Sequence, residues 1–192
     1  TLIVPWSVGG MTDVSARTLQ PILQEILNVP VVVNNMPGGS GAIGTEFVYN
    51  ARKDGYTILF SAETPGTFDV MEISSHTFED FNPLMVLTVG IPSFCVHKDA
   101  KWQTIEELLE DARKRPGEIV LAHSGLGASS HINSMMLAAA GIDVKIVGYE
   151  GGGPTITALL QREVDLNFQL LPSVDEYIAS GDFRILPTFT NE

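Results

Sequence analysis

Four times along the chain, a short β-branched run leads into a glycine- and serine-rich turn and then into apolar residues at helical spacing. The first unit is Leu2-Ile3-Val4, a turn over residues 5–12 and a helix predicted over residues 13–27. In that helix Val14, Leu19, Ile22, Leu23, Ile26 and Leu27 recur at three- and four-residue intervals. Pro21 lies inside it, removes a backbone donor and predicts a kink. The second unit joins Val31-Val32-Val33 through residues 34–41 to a helix over 42–51. The third joins Ile119-Val120-Leu121-Ala122 through 123–130 to a helix over 131–140. The fourth joins Val144-Lys145-Ile146-Val147 through 148–153 to a helix over 154–161.

Strands alternating with helices of this length predict parallel βαβ units, hence an α/β fold with doubly wound, mostly parallel sheets. Residues 56–60, 85–90 and 93–97 read as further strands. Thr104 with Glu107 three positions on is a capping-box pattern that opens a helix over residues 104–114, ended by Arg115-Pro116-Gly117. Residues 164–171 read as a strand, 172–179 as a short helix and 184–190 as a last strand. The polar crossing His97-Lys98-Asp99-Ala100 sets the predicted boundary, with residues 1–97 as a first lobe and 98–192 as a second. The chain opens on a strand without a methionine or leader and closes on another. It therefore reads as a processed or trimmed piece lacking a C-terminal segment that returns to complete the first lobe.

With 192 residues, 44% of them hydrophobic, the chain can bury one large or two small cores, and wholesale disorder is excluded. Eleven basic against twenty-three acidic residues give a net charge of −12. Nucleic acid and anionic membrane surfaces reward clustered Lys and Arg, so neither is the expected partner. No apolar run approaches the roughly 20 residues of a membrane-spanning helix. A single cysteine, Cys95, allows no internal disulfide, and in Phe94-Cys95-Val96 it reads as an inert core thiol. His76, His97, His123 and His131 show no His-x-x-x-His or His-x-His spacing, so no metal or other cofactor is expected.

The chemistry concentrates in the four turns. Glycine lets backbone approach a ligand closely, and a helix start offers unpaired N–H groups at the positive end of the dipole. In open α/β sheets such turns lie at the carboxyl ends of the strands, where ligands sit. The expected ligand is a small anion, most simply a carboxylate. Arg and Lys are absent from all four turns, whereas a phosphate or nucleotide usually recruits at least one. Gly38-Gly39-Ser40-Gly41-Ala42-Ile43-Gly44 only superficially matches a dinucleotide loop, because it is the second βα turn. The Gly-x-Ser-x-Gly elbow is absent, which leaves a hydrolase built on Ser124 and His123 as a minor reading. His131 in a first helical turn reads as a capping residue. Asp13 has two open readings: a carboxylate favouring a helix start, or a cleft group that binds a ligand or orders water. Trp6 reads as a wall of the cleft and an aromatic floor for the ligand. The acidic stretch over 104–113 reads as a solvated face.

Taken in order, these turns resemble one family. The matching stretches are Ile3-Val4-Pro5-Trp6-Ser7-Val8-Gly9-Gly10-Met11-Thr12-Asp13, Val31-Val32-Val33-Asn34-Asn35-Met36-Pro37-Gly38-Gly39-Ser40-Gly41, and Asp54-Gly55-Tyr56-Thr57. They continue with Ser124-Gly125-Leu126-Gly127-Ala128-Ser129-Ser130-His131, Tyr149-Glu150-Gly151-Gly152-Gly153-Pro154 and Val164-Asp165-Leu166. The pattern resembles the substrate-binding receptors of tripartite tricarboxylate transporters, often called Bug-type periplasmic receptors. The resemblance implies a two-lobed periplasmic binding protein fold (type II) that closes on a carboxylate solute. It also implies periplasmic or membrane-anchored extracytoplasmic location, delivery to transporter membrane subunits, and no catalysis.

By position, the resemblance places Trp6, Ser7, Gly9, Gly10, Thr12, Asp13, Ser124, Ala128, Ser129, Ser130, His131, Tyr149 and Gly152 at the ligand, with Thr64 as a weaker candidate. Gln169-Leu170 stands where an Asp-Asn pair is frequent, which alters the polar wall read by the distal part of the ligand. Val8, Met11 and Glu150 also depart from the family's frequent residues. Closure implies a hinge near residues 97–100 and in the last strand. Asp13→Ala and Ser129→Ala are expected to weaken binding with little effect on folding. An effector-sensing domain of a transcription regulator, which shares the two-lobed plan, is the alternative.

Overall fold

The computed structural model describes residues 1–90 and 92–186. The first sheet is formed by β1 (Leu2–Val4), β2 (Val33–Asn35) and β3 (Ile58–Leu59), in the order β2-β1-β3 and parallel throughout. Helices α1 (Met11–Leu27) and α2 (Ala42–Asn50) make its crossovers. The second sheet contains β4 (Ser93–His97), β5 (Val120–His123), β6 (Lys145–Gly148), β7 (Leu166–Gln169) and β8 (Phe183–Leu186), in the order β6-β5-β7-β4-β8. Its helices are α3 (Ile105–Lys114), α4 (Ser129–Ala139), α5 (Gly152–Leu160) and α6 (Asp175–Ala179). Strand β4 runs antiparallel to both neighbours, while β5 pairs in parallel with β6 and β7.

The larger core lies on the second sheet, and strand alternation divides it between two faces. Phe94, Val96, Leu121, Leu166, Phe168 and Leu186 pack with Trp102, Ile105 and Leu108 around α3. Cys95 and Ala122 point the other way, onto Ile156, Leu159, Val174 and Phe183. The first sheet has a smaller core of Val4, Trp6 and Ala16, with Val33 and Phe60 against it. Thr104 caps α3 through the Glu107 N–H at 3.3 Å, and the Glu107 carboxylate reaches back to the Gln103 N–H at 2.6 Å.

Several elements move from their predicted positions. Strand β4 was expected in the first lobe, but it hydrogen-bonds β7 and β8 in the second sheet. The crossing between sheets therefore lies between β3 and β4, ahead of the boundary expected at residue 97. Residues 97–100, expected as hinge, belong to the second sheet's surroundings: Lys98 pairs with Asp182 at 3.0 Å and Asp99 with Arg162. Residues 85–90 form no strand, because their backbone finds no neighbouring strand among the described residues; Met85, Val86 and Val89 are exposed. Strand β2 starts two residues later than predicted, and α1 continues across Pro21. The predicted last strand is seen from Phe183 to Leu186, and its remainder lies outside the described residues.

The largest consequence for function is at three helix starts. Predictions at residues 13, 131 and 154 become α1 from Met11, α4 from Ser129 and α5 from Gly152. A start is hard to place from sequence when the capping residue carries no polar side chain to mark it. Here the caps are Gly10, Ala128 and Gly151, and none makes a side-chain capping bond.

Cys95 is fully buried, and burial pushes its thiol up to about 12. Native protein should react with a thiol reagent only at the rate of unfolding, and fully once denatured. Rapid native labelling at neutral pH would contradict this packing.

Candidate functional site

The first turn is fixed from behind. Asp13 is 2% exposed. Its Oδ2 accepts the Gly9 N–H at 2.9 Å, and its Oδ1 accepts Arg17 Nε at 3.0 Å and Asn35 Nδ2 at 2.9 Å. Asn35 Nδ2 also donates to the Trp6 carbonyl at 3.0 Å, and Arg17 bonds Asn35 Oδ1 at 2.9 Å. Burial raises the Asp13 pKa, but the bonds from Arg17, Gly9 and Asn35 outweigh it and hold the carboxyl below its ordinary value. Of the two readings of Asp13, the geometry favours the internal one. It positions Gly9 and Trp6 and is already saturated by protein donors, so the expectation that Asp13→Ala spares folding is corrected.

The starts of α1 and α5, one from each sheet, abut. A side chain's Cβ on Gly10 would lie 3.1 Å from the Gly152 nitrogen, and one on Gly152 would lie 3.3 Å from the Gly10 Cα. On Gly153 it would lie 2.0 Å from the Val8 carbonyl oxygen. Only glycines let the two positive helix ends come this close. Beside them a cavity of about 670 Å3 opens between the sheets. Trp6, Gly10 and Thr12 line it from the first sheet, and Ser124, Ala128, Ser129, Ser130, Gly152 and Gln169 from the second. All nine were sequence candidates.

The other candidates lie elsewhere. Ser7, Gly9 and Tyr149 border a second groove of about 560 Å3 with Val8, Gly153 and Tyr177. Asp13 is internal, and Thr64 is fully buried with its hydroxyl unpartnered among the described residues. His131 Nδ1 accepts the Gly127 N–H at 3.3 Å, a bond that ties down the turn before α4. His123 is held in the same way by the Gly125 N–H at 3.2 Å, with the two imidazole rings 4.7 Å apart. Burial lowers both pKa values, and for His123 the neighbouring His131 lowers it further, so both rings are neutral at pH 7. The Ser124 hydroxyl meets the Ser130 hydroxyl at 2.9 Å. Its N–H donates to Ser130 Oγ at 3.0 Å. His123 makes no bond to it among the described contacts, so the Ser124–His123 nucleophile has no geometry here.

Sequence reasoning missed Met11, Ser15, Ser61, Glu63 and Phe168, which also line the cavity. The turn after β3 was identified, but its weight was placed on Thr64 instead of its neighbour Glu63. Trp6 is 5% exposed, wedged between the Gly41 and Gly125 backbones. Its indole Nε1 is buried without a hydrogen-bond partner among the described residues, as is the Ser61 hydroxyl. Unsatisfied buried donors are costly and call for an explanation. No Lys, Arg or His is among the described residues lining the cavity.

Among the described residues, four bonds cross between the halves. Ser40, with φ of 54° in the left-handed region, accepts the Leu126 N–H at 2.9 Å. The Thr67 hydroxyl donates to the Gly127 carbonyl at 3.1 Å. Glu63 Oε1 accepts the Ser129 N–H at 2.7 Å, and the Ser7 hydroxyl donates to the Glu150 carbonyl.

Comparison with known proteins gives the same architecture. A family model described as the tripartite tricarboxylate transporter family receptor matches residues 15–192. Protein BugT of Bordetella pertussis is 32% identical over 197 residues, covering 100% of this chain and 60% of its own length. The solved periplasmic binding protein BugD superposes with a TM-score of 0.87 at 29% identity, covering 100% of this chain and 65% of that one. An R. palustris protein solved with adipate gives 0.88 at 28% identity, with 100% and 65% covered. The chain thus spans about 60% of the length of the BugT relative it matches.

Replacing Asp13 by Asn should destabilise the protein by about 1–3 kcal/mol at pH 7, because buried donors lose their charged acceptor. A carboxyl held below its unfolded value of 3.8 contributes stability above that value and loses it as pH falls through the lower folded one. Urea unfolding of the native protein should therefore weaken more steeply on acidification through about pH 4 than that of Asp13→Asn. Parallel pH curves would remove Asp13 from this role.

Proposed function

We propose that this chain, which belongs to the tripartite tricarboxylate transporter receptor family, captures a small carboxylate-bearing solute between its two sheets. The observation that carries the reading is the abutment of the α1 and α5 starts beside a cavity lined by Trp6, with no Lys, Arg or His among the described residues lining it. Free amides at two helix ends attract an anion through hydrogen bonds and dipole together, without a cationic side chain. Amides of Met11 and Thr12 from one half and Gly152 from the other converge on the solute carboxylate. Trp6 lines the same cavity, and Ser124, Ser129 and Gln169 flank it.

The adipate held by the R. palustris relative supports an organic acid as the solute class. A solute bridging both halves binds the closed arrangement better than the open one, and only that difference can drive closure. The crossing between β3 and β4 is the segment that closure must bend. Family membership supports an extracytoplasmic receptor that passes its solute to transporter membrane subunits and does not transform it.

Thermal shift screening of carboxylic acids should find at least one that stabilises the protein, by about 2.7 kcal/mol at a hundredfold excess over its dissociation constant. Trp6→Phe shortens a side chain that both lines the cavity and packs in the first sheet's core. It should weaken that acid roughly tenfold in calorimetry and also destabilise the empty protein by about 1–3 kcal/mol. Unchanged affinity in Trp6→Phe would take the indole out of the site, and stabilisation by cations but by no acid would overturn the reading.

A further inference from the structure

The start of α4 is already occupied by a carboxylate of the protein itself. Glu63 reaches from the turn after β3 and takes the Ser129 N–H at 2.7 Å. It is also the one acidic side chain among the described residues lining the cavity, and no Lys, Arg or His among them offsets it. Away from the helix starts the lining turns apolar, with Phe60, Phe78, Leu87, Phe168 and Leu170. The cavity therefore offers free helix ends at α1 and α5, a fixed negative charge at α4, and an apolar wall.

We propose that Glu63 is a specificity-determining residue that restricts the solute to a monocarboxylate with a largely apolar body. This rests on the carboxylate-receptor reading and narrows it. The solute's one carboxylate takes the amides of α1 and α5, its body lies along the aromatic and aliphatic wall, and Glu63 keeps the α4 amide. A second carboxylate would share the cavity with Glu63 and lose water against apolar side chains, with no cation among the described lining residues to offset it. Like charges brought together in one site oppose binding, and the opposition falls as salt screens the exposed Glu63. Shape alone would not respond to salt.

The test is calorimetry on the full chain with acids paired to differ by one carboxylate: hexanoate with adipate, and benzoate with terephthalate. The monoacid of each pair should bind the native protein at least about tenfold tighter. That preference should shrink in Glu63→Gln, which keeps an acceptor for the Ser129 N–H; added salt should also shrink it in the native protein, and less so in the variant. Native protein that binds the diacids as tightly as the monoacids overturns the proposal, and so does a preference that Glu63→Gln and salt both leave intact. If no acid of the panel binds and none stabilises the protein, the receptor reading itself fails and takes this one with it.

Discussion

Helix starts whose own cap residues make no side-chain bond among the described residues are the constraint on which this structure turns. A helix leaves its first amides without partners, and a polar side chain normally satisfies one of them. Here α1, α4 and α5 begin after Gly10, Ala128 and Gly151, which have nothing to offer. The α4 start receives Glu63 from the other half of the molecule. Those of α1 and α5 instead meet each other, at a separation that glycines alone permit. Two positive helix ends brought this close raise the local potential, which favours negative charge in the cavity beside them.

The rest of the molecule keeps those ends in place. Asp13, Arg17 and Asn35 form a small buried network that fixes the turn before α1. His123 and His131, both neutral, restrain the turn before α4 through their Nδ1 atoms. The larger core packs both faces of the five-stranded sheet, which gives the second half a rigid frame. Between the halves the four crossing bonds are few and polar. Each contributes on the order of 1 kcal/mol, a scale that lets a bridging solute shift the balance between open and closed forms.

Much of this was legible in the sequence because the βαβ rhythm and the glycine turns are local signals. The four turns and the carboxylate chemistry inferred from absent Arg and Lys follow from them, while nine of the cavity's residues come from the family resemblance that the turns carry. What stayed hidden is non-local. Strand β4 reads as the end of one lobe, yet its partners β7 and β8 lie some seventy to ninety residues downstream and claim it for the other. Residues 85–90 have strand composition, but a strand also needs a neighbour. Asp13 appears as a plausible cleft carboxylate until Arg17 and Asn35 are seen to saturate it. Glu63 carries no motif at all; its importance comes only from the fold bringing it to the Ser129 amide.

The most direct measurement is a backbone amide titration by NMR, using the acid that stabilises the protein best. The account predicts that the amides of Met11, Thr12 and Gly152 and the Trp6 indole N–H shift together along one binding curve. Shifts confined to one half of the molecule, or centred on the groove beside Tyr149 and Tyr177 while these four stay still, would contradict it.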